Sequence, residues 1–289
     1  MNAYLNLEDL LYAFAYIASG FIIFTLGKIA FKLLNPKIDV QKELVIKDNL
    51  AFIISYVGYL SAVITLIGGS IVGESLGLQQ DLQNILIYGV LGIPLLIVSC
   101  WICNKIILNK FDLKKEIITD HNTGSGIIEA AVFFANGLIL YGALIGESAS
   151  LLEGISTFII YWLFGNLVLI ASSKFFFIWM DYKIDEEIKK NNTAAGVSFA
   201  GALIAIGIIT MNAIQNSFIS WEQALIDTSS QIVIGAVLLP VTRIFADKII
   251  LPGRKLTDEI ANQDIPNIGA GLVEAFAYIG SAILITWTL

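Results

Sequence analysis

Long apolar stretches separated by short polar connectors repeat along the whole chain, at roughly residues 9–34, 49–72, 82–107, 123–146, 152–180, 193–216, 222–247 and 267–288. Each meets or exceeds the roughly 20 residues that a helix needs to cross the hydrocarbon of a bilayer. The pattern predicts an all-α integral membrane protein with eight transmembrane helices. The longest connector, between the seventh and eighth stretches, has fewer than 20 residues. No soluble catalytic domain fits in such loops, so any chemistry belongs within or beside the bilayer. The first stretch follows Glu8 and Asp9 without a basic segment or a small-residue cleavage site. It reads as a retained helix rather than a cleaved signal.

Composition agrees: 57% of residues are hydrophobic and 14% charged, too apolar for a soluble domain of this size. The placement of charge adds orientation. All 17 lysines and arginines lie in the connectors after the odd-numbered stretches or in the last turns before them. Lys110, Lys114, Lys183 and Lys189 are examples of the first kind, and Lys28, Lys32, Lys105, Lys174 and Arg243 form the second. The opposite connectors hold acids and no cation: Glu74, Asp81, Glu147, Glu153 and Glu222. Basic loops stay in the cytoplasm, which puts both termini outside. Because the signs are segregated by side, the net charge of −7 says little about partners, and nothing points to nucleic acid. Trp101 and Trp179 near the inner face, with Trp221 and Trp287 near the outer, fit interfacial belts.

A unit of one helical hairpin occurs four times. Glu43-Leu-Val-Ile-Lys-Asp-Asn49 matches Glu116-Ile-Ile-Thr-Asp-His-Asn122 and Glu186-Glu-Ile-Lys-Lys-Asn-Asn192 without gaps, and Glu259 through Asn267 matches with a two-residue insertion that includes Pro266. The anchoring asparagines are 73, 70 and 75 residues apart, so two crossings per unit return the chain to the same side and the repeats are parallel. A second symmetry pairs alternate units. Ile54-Ser-Tyr-Val-Gly58 matches Val197-Ser-Phe-Ala-Gly201, and Asn122-Thr-Gly-Ser-Gly-Ile-Ile-Glu-Ala130 matches Asn267-Ile-Gly-Ala-Gly-Leu-Val-Glu-Ala275. Pro94 and Pro240 pair likewise and predict kinks. The chain reads as two tandem four-helix membrane modules, 1–147 and 148–289.

The asparagine-led segments Asn191-Asn-Thr-Ala-Ala-Gly-Val-Ser-Phe-Ala-Gly201 and His121-Asn-Thr-Gly-Ser-Gly126 resemble the YjfL-like family of bacterial inner-membrane proteins of unknown function. A typical member is one four-helix module, so the resemblance covers this chain twice. Asn49-Leu-Ala-Phe52 departs from it by lacking the threonine. The resemblance implies a bacterial inner membrane and a link to phage-shock-like envelope-stress proteins, but no activity.

Two residues carry the chemistry. Glu129 and Glu274 each lie seven residues past their asparagines, about 10 Å into the helix at 1.5 Å per residue. An ionisable group there costs roughly 2.5–3.5 kcal/mol on insertion scales and faces the bundle interior or water. Three readings stand: a cation or proton site; an internal ion pair with one of the cations that close the odd helices (Lys28, Lys105, Lys174, Arg243); or a carboxylic acid kept neutral for packing. Asn49, Asn122, Asn192 and Asn267 sit where a side-chain oxygen caps free backbone N–H groups. Their convergence also offers an anion or lipid-headgroup site. Gly124, Gly126, Ala194, Ala195, Gly196, Gly269 and Gly271 permit close helix packing in lipid. Cys100 and Cys103 share a helix face and read as packing residues. His121 reads as exposed. Asn136, Asn166, Asn212 and Gln231 read as interhelical hydrogen-bonding groups.

Two functions of different class compete. The first is a small ion or solute channel, or a cation/proton-linked transporter, with Glu129 and Glu274 inside. The second is an envelope-stress membrane component that binds lipid or recruits phage-shock-like cytoplasmic proteins through its basic face without transport. An enzyme is disfavoured, because there is no HExxH, no serine–histidine pairing and no metal-ligand cluster. The expected partners are membrane lipid, an ion or small solute, cytoplasmic proteins and a second copy of the chain in a homo-oligomer. No cofactor or metal is expected.

Overall fold

The computed structural model describes residues 7–72, 75–110, 112–145, 150–215, 221–250 and 253–288, apart from the side chains of residues 221, 224, 225, 227 and 236. Glu74 and Glu147, among the acids of the cation-free connectors, lie outside the described residues, as does the side chain of Trp221. The described residues are helical, with no strand. Long helices are α1 (Leu7–Leu34), α2 (Leu50–Ile71), α3 (Leu78–Ile107), α5 (Thr123–Leu144), α6 (Leu151–Trp179), α8 (Thr193–Ile214), α9 (Trp221–Phe245) and α11 (Ile268–Thr288). Three short helices, α4 (Leu113–Ile118), α7 (Ile184–Lys189) and α10 (Leu256–Ala261), fill the basic connectors, and a π-helical turn at Lys42–Ile46 takes that place in the first repeat.

Seven helices among the described residues are long and apolar enough to cross a membrane: α1, α2, α3, α5, α6, α8 and α11. Against the expected eight, the one outside this set is α9, which carries Glu222, Asp227 and Arg243 along its 25 residues. Pro94 and Pro240 lie inside α3 and α9.

The most extensive contacts are α2 with α5, α5 with α8, and α8 with α11. These four helices form a row, and α1, α3, α6 and α9 pack against it. Within the row, Ala51, Gly58, Ala62 and Gly69 of α2 meet Gly126, Ala130, Gly137 and Tyr141 of α5 in rising order, so the two helices run in the same direction. Small residues make this possible. A methyl group built on Gly137 would stand 2.8 Å from Ala62 Cα, and one on Gly196 would stand 2.6 Å from Gly124 Cα. Lipid gives no hydrophobic drive to association, so close van der Waals approach of backbones supplies much of the attraction. Accordingly α8, in the middle of the row, is the most buried of the seven, and α1, at the edge, the least.

Candidate functional site

The basic end of the row is built from the four asparagines. Each caps its own helix: Asn49, Asn122, Asn192 and Asn267 accept at Oδ1 from the N–H groups of Phe52, Ser125, Ala195 and Ala270 at 3.0–3.2 Å. Each amide nitrogen then donates to an acid in the connector before it, namely Glu43, Glu116, Glu187 and Glu259. Three of the four donate again, across to the next repeat. Asn49 reaches Ile117 O at 3.0 Å, Asn122 reaches Ile188 O at 2.7 Å, and Asn192 reaches Ile260 O at 2.8 Å. Asn267, in the fourth repeat, makes no such bond among the described residues and is exposed, whereas the other three are buried. The same side chain that caps a helix therefore locks each repeat to its successor.

One detail corrects the alignment read from the sequence. In the third repeat the acid on the asparagine is Glu187, not the Glu186 of the gapless alignment, because that turn closes one residue sooner: Asn192 N bonds to Glu187 O, five residues back, where Asn122 N bonds to Glu116 O, six back. Each cap thus carries one of the chain's own glutamates, held by the asparagine amide. Burial pushes the Glu43 carboxyl up, but hydrogen bonds from Lys47 and Asn49, with the charges of Lys47 and His121, outweigh it and hold the group below the ordinary glutamate range.

The residue before the cap is also structural. Asp48, His121 and Asn191 have φ of 49°, 51° and 59°, the left-handed region in which aspartate, asparagine and histidine are the enriched non-glycine types. His121 is exposed, and this turn gives it a backbone role. The fourth repeat has Pro266 here, whose ring fixes φ near −65°. Proline cannot make the left-handed turn, and the two-residue insertion is the alternative route.

Further into the row lie the two carboxylates. Glu129 on α5 points between α2 and α3. It accepts a short hydrogen bond from Ser55 Oγ and another, at 3.1 Å, from Asn104 Nδ2. Glu274 on α11 points between α8 and α9 and is fully buried. It accepts from Ser198 Oγ at 2.8 Å, Tyr278 Oη at 3.0 Å and Arg243 Nε at 2.5 Å. Ser55 and Ser198 hold the same place in the repeat, six residues past their asparagines. The halves thus build the same glutamate–serine pair and differ in the third group. Arg243 is itself held by Asp181 at 3.3 Å and Thr257 at 2.7 Å, which ties the connector after α6 to α10.

Of the four cations proposed as partners, Arg243 pairs with Glu274. Lys28, Lys105 and Lys174 make no salt bridge among the described residues. Lys105 is exposed, with Nζ 4.2 Å from the Trp101 ring centroid, and Lys174 Nζ lies 6.0 Å from that of Phe177. A helix turns about 100° per residue, so with Asn104 facing Glu129 its neighbour Lys105 faces outward. Asn104 was absent from the sequence candidates. The Arg243 position in α3, three residues past the proline, is Ile97.

The polar groups beside Glu129 continue away from the basic face. Asn104 also donates to Cys100 Sγ at 3.4 Å. On the same face of α3, Cys103 Sγ lies 3.9 Å from both Asn136 Nδ2 and Asn166 Oδ1. Asn166 and Trp162 of α6 both donate to Ser99 Oγ, at 3.2 and 2.6 Å. Two acceptors here, Asn104 Oδ1 and Asn136 Oδ1, are buried without a hydrogen-bond partner. At the far end a cavity of about 670 Å³ opens between α1, α2, α3, α5 and α6, lined by Tyr16, Asp81, Asn84, Tyr88 and Thr157 among others. Among the described residues no group of three or more His, Cys, Asp or Glu is placed to hold a metal.

Comparison with known proteins matches this two-part plan. The chain is 24% identical over 246 residues to a UPF0719 transmembrane protein of Aquifex aeolicus (strain VF5), covering 85% of this chain and 88% of that one. No solved structure matches. The Domain of Unknown Function (DUF350) matches twice, at residues 4–144 and 150–289, and the chain is therefore a multi-pass membrane protein of the DUF350 family in which the domain is duplicated in tandem.

Proposed function

We propose that the protein moves a small cation or a proton across a bacterial inner membrane, with Glu129 as the working carboxylate. One observation carries this reading. Both halves place a glutamate beside an equivalent serine, but Glu274 is neutralised by Arg243, while among the described residues Glu129 accepts from the neutral donors Ser55 and Asn104. Intramembrane acids are costly and mark ion pathways or structural pairs. Here the pair accounts for Glu274 and leaves Glu129 without a structural counter-charge in contact.

In this proposal α9 is an eighth crossing, kept in the bilayer because Arg243 is paired. The eight helices form four parallel hairpins, with the basic connectors in the cytoplasm and both termini on the other side. The test is flux in vesicles reconstituted with the purified protein. Glu129→Gln keeps shape and hydrogen bonding and should abolish flux without loss of fold; undiminished flux would overturn the assignment.

A second reading rests on the basic face, where 17 cations meet none opposite. Each lysine or arginine near an anionic leaflet contributes roughly 1 kcal/mol of attraction. On this reading the protein binds lipid or recruits phage-shock-like cytoplasmic proteins, and Glu129→Gln leaves its activity unchanged.

A further inference from the structure

We propose that the ion handled at Glu129 is a proton, and that it travels along the buried polar seam of α3, α5 and α6 to the cavity on the acidic side. This rests on the reading of Glu129 as the working carboxylate and names its ion. The groups around Glu129 are the first argument. A metal cation is held by converging oxygen lone pairs, commonly six or more for the harder ions. Ser55 instead directs its O–H at the carboxylate, and Asn104 directs its NH₂. Both are donors. They suit a carboxylate that alternates with its protonated form, and the oxygens left free beside it, Asn104 Oδ1 among them, fall short of a six-fold shell.

The second argument is the course of the seam. From Glu129 it runs through Asn104 and Cys100, then Cys103, Asn136 and Asn166, to Ser99 and Trp162. Asn136 is fully buried, and Asn166 and Trp162 are buried as well. Of the three buried side-chain polar atoms without a partner among the described residues, Ser125 Oγ lies in the first turn of α5, and the other two, Asn104 Oδ1 and Asn136 Oδ1, lie on the seam. Each can accept from an O–H, whether of a carboxylic acid or of water. Buried polar atoms without partners are rare, because each costs on the order of 1–3 kcal/mol. Two on one seam point to a line of hydrogen bonds that changes as a proton passes.

The third argument is reach. Thr157 lines the cavity and Trp162 starts the seam, five residues apart on α6, about 7.5 Å along the helix. Fully buried Phe158, one turn before Trp162 on α6, packs edge-on against Tyr88 of the cavity wall with ring centroids 5.5 Å apart. This aromatic pair joins the cavity wall to the helix that carries Trp162. On the cytoplasmic side Glu129 takes a proton from hydronium: an O–H bond breaks there, one forms on the carboxyl oxygen, and water is left. Release toward the cavity breaks the carboxyl O–H bond and passes its proton to a water molecule in the seam, forming hydronium. Asn104 Oδ1 and Asn136 Oδ1 accept hydrogen bonds from that water file and neither gain nor lose a proton themselves.

The test uses the full chain in vesicles that enclose a pH-sensitive dye, with membrane potential clamped by potassium and valinomycin. Under a pH gradient we expect proton flux from the wild type, and flux at the level of protein-free vesicles from Glu129→Gln and from Asn136→Leu. Independently, the infrared carbonyl band of a protonated carboxyl group should be present in the wild type and lost in Glu129→Gln. That band keeps the proposal testable should a variant fold poorly. Sodium or potassium flux that is lost in Glu129→Gln, without proton flux, would overturn the proton and leave the cation reading standing. Proton flux undiminished in Glu129→Gln, or no flux of any ion, would overturn both.

Discussion

At the scale of single residues the two glutamates are alike in the chain and unlike in the fold. Glu274→Gln should lower thermal stability strongly, because it leaves Arg243 buried with only the exposed Asp181 for countercharge. Breaking a buried pair typically costs 3–5 kcal/mol, with partial relief here from Asp181. Glu129→Gln should change stability little, since a glutamine carbonyl oxygen can accept from Ser55 or Asn104. Thermal unfolding of the two purified variants compares them, and equal losses would refute the difference drawn between the halves. Glu43 has a different signature. Its carboxyl is held below the ordinary range, so its contribution is complete above the unfolded value of about 4.3 and disappears as pH falls through the lower folded value. Acid unfolding followed at several pH values should show a shallower dependence in Glu43→Gln than in the wild type. Sequence reasoning found both glutamates, because an acid inside an apolar run stands out. It could not separate Arg243 from Lys105 as partners, because that depends on which face of each helix turns inward.

At the scale of elements, the row of α2, α5, α8 and α11 turns on where glycine is needed. Gly137→Ala would place a methyl group 2.8 Å from Ala62 Cα, forcing two backbones apart, and overpacking of this kind typically costs 1–3 kcal/mol. Gly280→Ala meets nothing nearer than the Phe276 ring at 3.9 Å and should be neutral or gain up to about 1 kcal/mol, the helix cost of glycine relative to alanine. Melting temperatures of the two variants should move in opposite senses, or the first alone should fall. The small residues after each asparagine announce close packing to a reader of the sequence, but not which neighbour they meet. The short helices α4, α7 and α10 were not legible at all. They are six residues each, below the length at which hydrophobic periodicity identifies a helix, and contacts with the row hold them in place.

At the scale of the whole molecule, the first and fourth repeats differ from the two between them. Four, eight and fifteen residues past the cap, the second to fourth repeats have Gly126, Gly196 and Gly271; Ala130, Ala200 and Ala275; and Gly137, Gly207 and Ala282. The first repeat has Ile53, Val57 and Ile64 instead, and Val57 and Ile64 are more than half exposed. Nine residues past the cap, Gly58, Ala131 and Gly201 give way in the last repeat to Phe276, 69% exposed. Exposed faces of large apolar side chains suit contact with lipid tails, which are as apolar as they are. The orientation of the row in the bilayer is open to direct measurement. Single cysteines at Lys114 or Lys189 should react with an impermeant thiol reagent only from the cytoplasmic side, and tags at residues 1 and 289 only from the opposite one. A cytoplasmic terminus would reverse the proposed topology.

By itself the sequence determined that the chain is helical and membrane-bound, that it is duplicated, and where its asparagine caps and intramembrane acids fall. These are properties of one strand of chain: hydropathy, side-chain hydrogen bonding over three or four residues, and repetition. Tertiary structure decided the rest. It set which helix follows which in the row, which asparagine reaches which carbonyl, and that Glu187 rather than Glu186 fills the third cap. It also decided that one glutamate is paired with arginine while its twin faces serine and asparagine. Each of these turns on the rotation of a helix about its own axis, where one residue of register moves a side chain by about 100°, and only packing against neighbours fixes that angle.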